Sequence, residues 1–133
     1  MNRKSVKGFT LIELMIVIVI LGLLMSLVAP EMFGKVTSTQ RKTAAAQMKM
    51  FDTALETFRL DVGDYPANLE ELRRSDKRGW DGPYIKKAIP MDPWGNPYEY
   101  RTPGDNGNGY YLASNAKDGQ PGGEGDSEDI IHQ

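Results

Sequence analysis

The residues with the clearest chemical potential are five acidic side chains near the carboxyl terminus. Between residues 118 and 129 no basic residue balances them, and the segment is rich in glycine. Carboxylates on a glycine-rich loop suit Ca²⁺, which takes about six to eight oxygen ligands. Their spacing departs from the EF-hand pattern, and the composition is equally typical of a solvated acidic tail. The acids are Asp118, Glu124, Asp126, Glu128 and Asp129.

A further acid stands where a charge is costly. Glu13 is the only charged residue between positions 9 and 29, and this stretch is apolar and long enough to span a bilayer as a helix. A carboxylate inside the apolar run is destabilising unless a partner neutralises it. No Lys or Arg follows Lys7 within this helix. The sequence therefore predicts that Glu13 finds its partner elsewhere.

Most catalytic chemistry lacks the residues that it needs. The 133 residues include no Cys and a single His, His132. Disulfides, thiolate metal sites and His-based triads are therefore excluded. The acid pair Asp126 and Asp129 has no adjacent nucleophile or apolar pocket in the sequence pattern. We predict that the chain is not an enzyme, and its net charge of −2 gives no reason to expect nucleic-acid binding.

The apolar stretch has the flanks of a membrane segment. Arg3, Lys4 and Lys7 precede it without any acid, so the positive-inside rule places the amino terminus in the cytoplasm and the rest outside. A cleaved secretory signal explains the flanks, but its apolar run is shorter and Pro30 follows the only small-residue cleavage site. A plain signal anchor explains the length but leaves Glu13 without a role. We predict a transmembrane helix over residues 9–30.

The helix continues as an amphipathic segment over residues 31–63. Its apolar side chains recur at spacings of three and four, which is the pattern of one buried helix face. Gly63 ends the pattern, and Pro30 is expected to kink or loosen the helix. Residues 35–47 have few large apolar groups and are predicted to be exposed or packed between subunits. The stripe is Met48, Phe51, Leu55, Phe58 and Val62.

Residues 64–133 are rich in turns and predict a small sheet. Residues 67–74 are expected to form a short helix held by Leu69 and Leu72, and strands are expected at 98–101 and 110–114 around a turn at 105–109. A third short strand is predicted, and Ile130-Ile131 indicates that the tail is pinned to the core. The predicted fold is α+β, a long amino-terminal α-helix packed on a small antiparallel sheet with a loop-rich carboxy-terminal region.

A helix over residues 9–62 would be about 81 Å long. This length exceeds what the core of the remaining chain needs, and the first half of the helix has no polar face. Its apolar surface must therefore be buried in lipid or against other copies of the chain. This pattern favours a filament subunit.

The amino-terminal motif carries a family resemblance. Gly8-Phe9-Thr10-Leu11-Ile12-Glu13, after a short basic leader, resembles the processing site of type IV prepilins and pseudopilins. The resemblance implies a leader over residues 1–8, cleavage between Gly8 and Phe9 by a prepilin peptidase, and N-methylation of Phe9. Glu13 would then neutralise the Phe9 ammonium of a neighbouring subunit, or that of its own chain.

A second resemblance covers the remaining chain. The run from Gly82 to Tyr100, with its Asp-Pro-Trp-Gly-Asn-Pro-Tyr segment, and the acidic tail resemble the major pseudopilins of type II secretion systems. That family binds calcium in its carboxy-terminal loop. The resemblance implies that the ion is held by Asp118 and Asp129, by Asp126 or Glu128, and by the backbone carbonyls of Asn115 and Gln120. At Asn115-Ala116 the sequence departs from the Leu-Gly pair that the family usually has.

The resemblance also implies a function and partners. The chain would be made in the inner membrane and would polymerise into a periplasmic pseudopilus that helps drive folded exoproteins across the outer membrane. Expected partners are other copies of the chain, the prepilin peptidase, minor pseudopilins and an inner-membrane assembly platform with its ATPase. One alternative is a type IV pilin for adhesion, motility or DNA uptake. Another is a membrane-anchored calcium-dependent binding module, which leaves Glu13 and the Gly8-Phe9 junction unexplained.

Overall fold

The structure, a computed structural model, describes residues 5–107 and 109–132. Outside the described residues lie residues 1–4 of the predicted leader, residue 108 of the predicted 105–109 turn and residue 133. The chain divides into two units, one that ends at Val36 and one that begins at Thr37. Among these described residues the α-helix α1 runs from Leu11 to Val62, and the strands are β1 (Glu99–Arg101), β2 (Tyr111–Ser114) and β3 (Ile130–Ile131).

The first unit contains the apolar half of α1. This helix is long and apolar enough to cross a membrane, and none of its most apolar 18-residue window is buried. From Leu11 to Val36 every residue except the half-buried Ala29 is exposed. Pro30 lies inside α1, which is not interrupted there. The kink or loosening expected at this proline stays a prediction.

The second half of α1 provides one wall of the core. Met48, Phe51, Leu55 and Phe58 are buried to 2% exposure or less, and Val62 packs against them while partly buried. The predicted stripe is therefore confirmed. The helix ends at Gly63, whose φ of 97° suits glycine and whose amide donates to the Arg59 carbonyl oxygen at 2.8 Å.

The sheet forms the opposite wall. Its three antiparallel strands lie in the order β1-β2-β3. Tyr100 pairs with Leu112 between the first two strands, and Ser114 pairs with Ile130 between the last two. Leu112 is fully buried, and Tyr98 meets the ring of Phe51 edge-on with centroids 5.2 Å apart. The predicted α+β fold is confirmed, including the third strand that holds the tail.

Two local predictions differ from the structure in their extent. The short helix expected at 67–74 is a single 3₁₀ turn, Leu69–Leu72, which Asn68 caps by accepting a hydrogen bond from the Glu71 amide. A three-residue repeat suffices to direct Leu69 and Leu72 to the core, so a helix of greater length is not required. The segment 35–47 is not wholly exposed either, since the small side chain of Ala44 is fully buried in the second unit.

Candidate functional site

The predicted processing site lies in chain that precedes the helix. Residues 5–10 have no regular secondary structure, and α1 begins two residues after Phe9. The Phe9 side chain is 91% exposed. The Gly8–Phe9 peptide bond is therefore outside the hydrogen-bonded helix, as a peptidase substrate needs to be.

Thr10 explains why the helix starts where it does. Its Oγ1 atom accepts a hydrogen bond from the Glu13 amide at 3.3 Å, which satisfies one of the free donors of the first turn. Thr10 and Glu13 thus have the spacing of a capping box. The sequence analysis did not assign this role, although the Thr-x-x-Glu pattern could have indicated it.

The Glu13 carboxylate has no cationic partner within the described part of the chain. Its residue is exposed and lies in the first turn of α1. The positive end of the helix macrodipole favours an acid at this place. This contribution is small compared with the cost of a carboxylate in lipid, so the prediction of a partner on another chain is retained.

Within the second unit, a buried aspartate organises a turn. Asp92 is 4% exposed, and its Oδ1 atom accepts hydrogen bonds from the amides of Trp94 and Asn96 at 3.1 and 2.8 Å. Its Oδ2 atom accepts from the Ser114 hydroxyl at 2.7 Å. These three donors compensate for the burial of the charge. The Asp-Pro-Trp-Gly-Asn segment is thereby fixed to the end of β2.

The same turn holds the start of the carboxy-terminal loop. The buried Ser114 hydroxyl accepts from the Ala116 amide at 3.2 Å, and the Asn96 side-chain amide donates to the Ala116 carbonyl at 3.1 Å. Ala116 has a φ of +52°, and Gly119 has a φ of +65°. A Cβ atom on Gly119 would lie 3.0 Å from the Asn96 Oδ1 atom, so Asn96 and Gly119 are packed tightly.

The loop closes on itself over residues 118–129. The Asp118 Oδ1 atom accepts from the Gln120 amide at 3.1 Å, and the Asp129 Oδ2 atom accepts from the Gly122 amide at 2.7 Å. A Cβ atom on Gly123 would lie 2.3 Å from the Ser127 carbonyl oxygen and 3.2 Å from the Asp118 Oδ2 atom. The Asp118 carboxylate and the Ser127 carbonyl therefore both lie against Gly123.

Two contacts tie the end of the loop to α1. The Arg41 guanidinium donates to the Glu128 carbonyl oxygen at 2.8 Å. Beyond β3, the His132 amide donates to the Leu112 carbonyl oxygen at 2.9 Å, and its Nε2 atom lies 3.1 Å from the Asp52 Oδ1 atom. The tail is therefore part of the folded unit.

Asp52 is the charged group on α1 that contacts this end of the chain. Tyr110 donates to its Oδ1 atom at 2.6 Å, and Lys49 donates to its Oδ2 atom at 2.8 Å. Burial works against ionisation of Asp52, but the hydrogen bonds from Lys49 and Tyr110 and the charge of His132 outweigh it and lower its pKa. Burial and the hydrogen bond to Asp52 raise the pKa of Tyr110, which stays a donor.

The predicted carboxylate ligands of calcium differ in their contacts. Asp118 is exposed and Asp129 is half-buried, and each accepts a hydrogen bond from an amide of the loop. Asp126 and Glu128 are exposed, and across the described residues no three acidic or histidine side chains form a metal-binding group. The backbone carbonyls of Asn115 and Gln120 stay predicted ligands.

Sequence reasoning missed the residues that support the loop. The side chains of Asp92, Asn96 and Arg41 contact partners that lie 20 to 87 positions away in sequence. No local periodicity indicates such pairs. The signal that could have found Asp92 is the Asp-Pro-Trp-Gly-Asn segment, because an aspartate that begins such a run typically accepts hydrogen bonds from the following amides.

The comparisons with known proteins assign both ends of the chain. Residues 31–133 match the family model described as "Type II secretion system (T2SS), protein G", and residues 3–29 match the prokaryotic N-terminal methylation motif. The type II secretion system core protein G of Xanthomonas campestris pv. campestris is 37% identical over 99% of this chain and 93% of its own length. That of Vibrio cholerae is 39% identical over 97% of this chain and 92% of its own length.

A solved structure agrees with these relatives. The crystal structure of the major pseudopilin from the type 2 secretion system of enterohaemorrhagic Escherichia coli matches with a TM-score of 0.62 and 26% sequence identity. The match covers 74% of this chain and 86% of that one. The fold, the processing motif and the sequence similarity thus agree, and the chain belongs to the type II secretion system protein G family.

Proposed function

We propose that this chain is the structural subunit of a periplasmic pseudopilus in a type II secretion system, where it helps drive folded exoproteins across the outer membrane. The observation that carries the proposal is the exposed apolar half of α1, from Leu11 to Val36, in a chain of the protein G family. An apolar surface of this size needs lipid before assembly and other copies of the chain after it. The subunit has no catalytic role in this proposal.

Before assembly, the chain would be an inner-membrane protein with its amino terminus in the cytoplasm. The basic leader supports this orientation. A prepilin peptidase would hydrolyse the Gly8–Phe9 bond, and the new amino group of Phe9 would be methylated. The match to the N-terminal methylation motif and the place of this bond ahead of α1 support the processing step.

Cleavage would also give Glu13 its partner. The new ammonium group at Phe9 and the Glu13 carboxylate are four residues apart in sequence, which is about 6 Å along a helix axis. In a staggered assembly, Glu13 of one subunit would lie beside Phe9 of the next, and the pair would remove two charges from an apolar environment. Minor pseudopilins and an assembly platform with its ATPase are the further partners that this proposal requires.

We also propose that the carboxy-terminal loop binds Ca²⁺. The support is the Asp129 carboxylate, whose Oδ1 atom is buried and accepts no hydrogen bond among the described residues. A buried oxygen without a partner is destabilising, and a cation would satisfy it. Asp118 and Asp129 would supply the charged ligands, with Asp126 or Glu128 and the carbonyls of Asn115 and Gln120 completing the shell. Bound Ca²⁺ would hold the loop closed.

The secretion role is tested by deletion of the gene in its host, followed by complementation with the wild-type chain. We expect exoproteins to accumulate in the periplasm and to be exported again on complementation. Intact export together with lost surface pili would overturn the proposal in favour of a type IV pilin. Mass spectrometry of the mature amino terminus is expected to show a chain that starts at methylated Phe9.

The calcium site is tested on the full chain in detergent. The melting temperature is compared in excess EGTA and in CaCl₂ for the wild type, Asp129→Asn and Glu124→Gln. We expect chelation to lower the wild-type value by several degrees, because a ligand that binds only the folded state stabilises it. Asp129→Asn should lose this dependence. Glu124→Gln is the matched control, since Glu124 is an exposed acid of the same loop. An unchanged wild-type melting curve in EGTA would overturn the site.

A further inference from the structure

Asn115 stands beside Asp129 where the β2–β3 ladder ends. The last residue pair of this antiparallel ladder is Ser114 with Ile130. The next residue along β2 is Asn115, and the preceding residue along β3 is Asp129, so the two strands bring these residues together. Opposed residues at such positions have side chains within reach of one another. Asn115 has a φ of −79° and a ψ of 16°, so the chain leaves the strand here and enters the loop.

Both side chains carry a buried oxygen without a partner. The Oδ1 atoms of Asn115 and Asp129 are two of the four buried polar side-chain atoms that accept or donate no hydrogen bond among the described residues. Asn115 precedes the 3₁₀ helix Ala116–Asp118, yet its side chain makes no capping hydrogen bond. The usual local use of an asparagine at such a position is therefore absent.

Two buried acceptors without donors, on residues that the register of the adjoining pair places opposite one another, are unfavourable in the absence of a cation. Each oxygen has lost its hydration, and neither can donate to the other when Asp129 is ionised. A bound cation satisfies both at once. Ca²⁺ accepts side-chain amide oxygens as readily as carbonyl oxygens, and a neutral oxygen adds a ligand without adding repulsion between Asp118 and Asp129.

We propose that the side-chain Oδ1 atom of Asn115 is a direct ligand of the carboxy-terminal Ca²⁺ site, paired with the Oδ1 atom of Asp129. This inference rests on the calcium site proposed above and extends it, because the sequence analysis assigned only the backbone carbonyl of Asn115 to the ion. The side-chain amide would make the ladder end, rather than the loop alone, part of the site.

The test uses two substitutions at this position in the full detergent-solubilised chain. Asn115→Leu keeps a side chain of similar size and removes the oxygen, whereas Asn115→Asp replaces the neutral oxygen with a charged one. The affinity for Ca²⁺ is measured by isothermal titration calorimetry with CaCl₂. The melting temperature is measured for each variant in excess EGTA and in CaCl₂.

Leu is the residue that the family usually has at this position, so we expect Asn115→Leu to keep Ca²⁺ binding through the backbone carbonyl and the carboxylates, but about tenfold more weakly than the wild type. Its melting temperature in EGTA should equal or exceed that of the wild type, because a buried oxygen without a partner has been removed. Asn115→Asp should bind Ca²⁺ at least as tightly as the wild type. Its melting temperature in EGTA should fall, because a second carboxylate would face Asp129.

Two results would overturn the inference. One is an Asn115→Leu variant that binds Ca²⁺ as the wild type does. The other is a loss of melting temperature, relative to the wild type, that is as large for Asn115→Leu in EGTA as in CaCl₂. Such a loss would mean that the Asn115 amide is a structural donor to Asp129. Failure of the wild type itself to bind Ca²⁺ would overturn the proposed calcium site as well, so the two failures are distinguishable.

Discussion

The two halves of α1 have similar helical geometry but opposite surroundings. From Leu11 to Val36 the helix buries nothing fully within its own chain, whereas from Thr37 onward it supplies Ala44, Met48, Phe51, Leu55 and Phe58 to a core. In water, an isolated helix gains most of its stability from packing of an apolar face. The second half has that packing in the subunit itself. The first half must obtain it from lipid or from other subunits.

The largest expected effect is on assembly and not on the fold. Glu13→Gln removes the charge that would pair with the Phe9 ammonium of a neighbour, so that ammonium would be left unpaired in an apolar environment. We expect loss of pseudopilus filaments, scored by electron microscopy of cells that overproduce the chain. The melting temperature of the solubilised subunit should stay unchanged, because Glu13 contributes nothing to the core of the second unit.

Glu31→Gln is the control for this prediction. Glu31 is the next acid along the same helix and is also exposed. It lies beyond the predicted transmembrane segment, so its neutralisation should leave filaments intact. Normal filaments from Glu13→Gln would contradict the pairing with Phe9, and a large fall in its melting temperature would contradict the independence of the two halves.

The second prediction addresses the half of α1 with a core. Phe58→Ala should destabilise the solubilised subunit by about 3–5 kcal/mol, because the ring is fully buried and a cavity would remain. Leu60→Ala, two residues further along the same helix, removes a side chain that is 84% exposed and should change stability by less than about 0.5 kcal/mol. Denaturant unfolding followed by circular dichroism measures both. Equal losses from the two variants would mean that the helix is not packed as described.

The third prediction concerns the loop that the second half of α1 supports. Ala116 and Gly119 both have positive φ angles, which cost an L-residue with a side chain about 1–2 kcal/mol. Ala116→Gly relieves this strain but removes a fully buried methyl group and adds the entropic cost of glycine, so it should change the stability by less than about 1 kcal/mol. Gly119→Ala should destabilise it by about 1–2 kcal/mol and also press on Asn96. Thermal unfolding in CaCl₂ measures both, and a Gly119→Ala variant as stable as the wild type would contradict the left-handed conformation of Gly119.

The smallest effect depends on pH. Asp52 accepts hydrogen bonds from Tyr110 and Lys49 and lies beside His132. These contacts outweigh burial and lower its pKa in the folded state below the ordinary value of 3.8. A lowered carboxylate pKa stabilises the fold above the unfolded pKa, and this stabilisation is lost as the pH falls through the folded pKa. Asp52→Asn should therefore lower the melting temperature slightly at pH 7. The difference from the wild type should shrink below about pH 4, and a difference that grows on acidification would contradict the assignment.

The amount that the sequence could predict differs between these regions. The stripe from Met48 to Phe58 was predictable because helical periodicity is a local property of the chain. The strands were predictable to within one residue at their starts, because turn-forming residues surround them. The 3₁₀ turn at Leu69–Leu72 and the burial of Ala44 were not, since a short segment and a small side chain leave almost no periodic signal.

For the candidate sites, the division follows the range of the contacts. The sequence by itself determined the apolar half of α1, the isolated charge of Glu13, the Gly8–Phe9 junction and the acids of the tail, because composition and local motif suffice for each. Only the tertiary structure decided that Asp92 and Asn96 hold the start of the loop, and that Arg41 and Asp52 receive its end. It alone places Asn115 beside Asp129, because a strand register joins residues that are far apart in the chain and that no local pattern can pair.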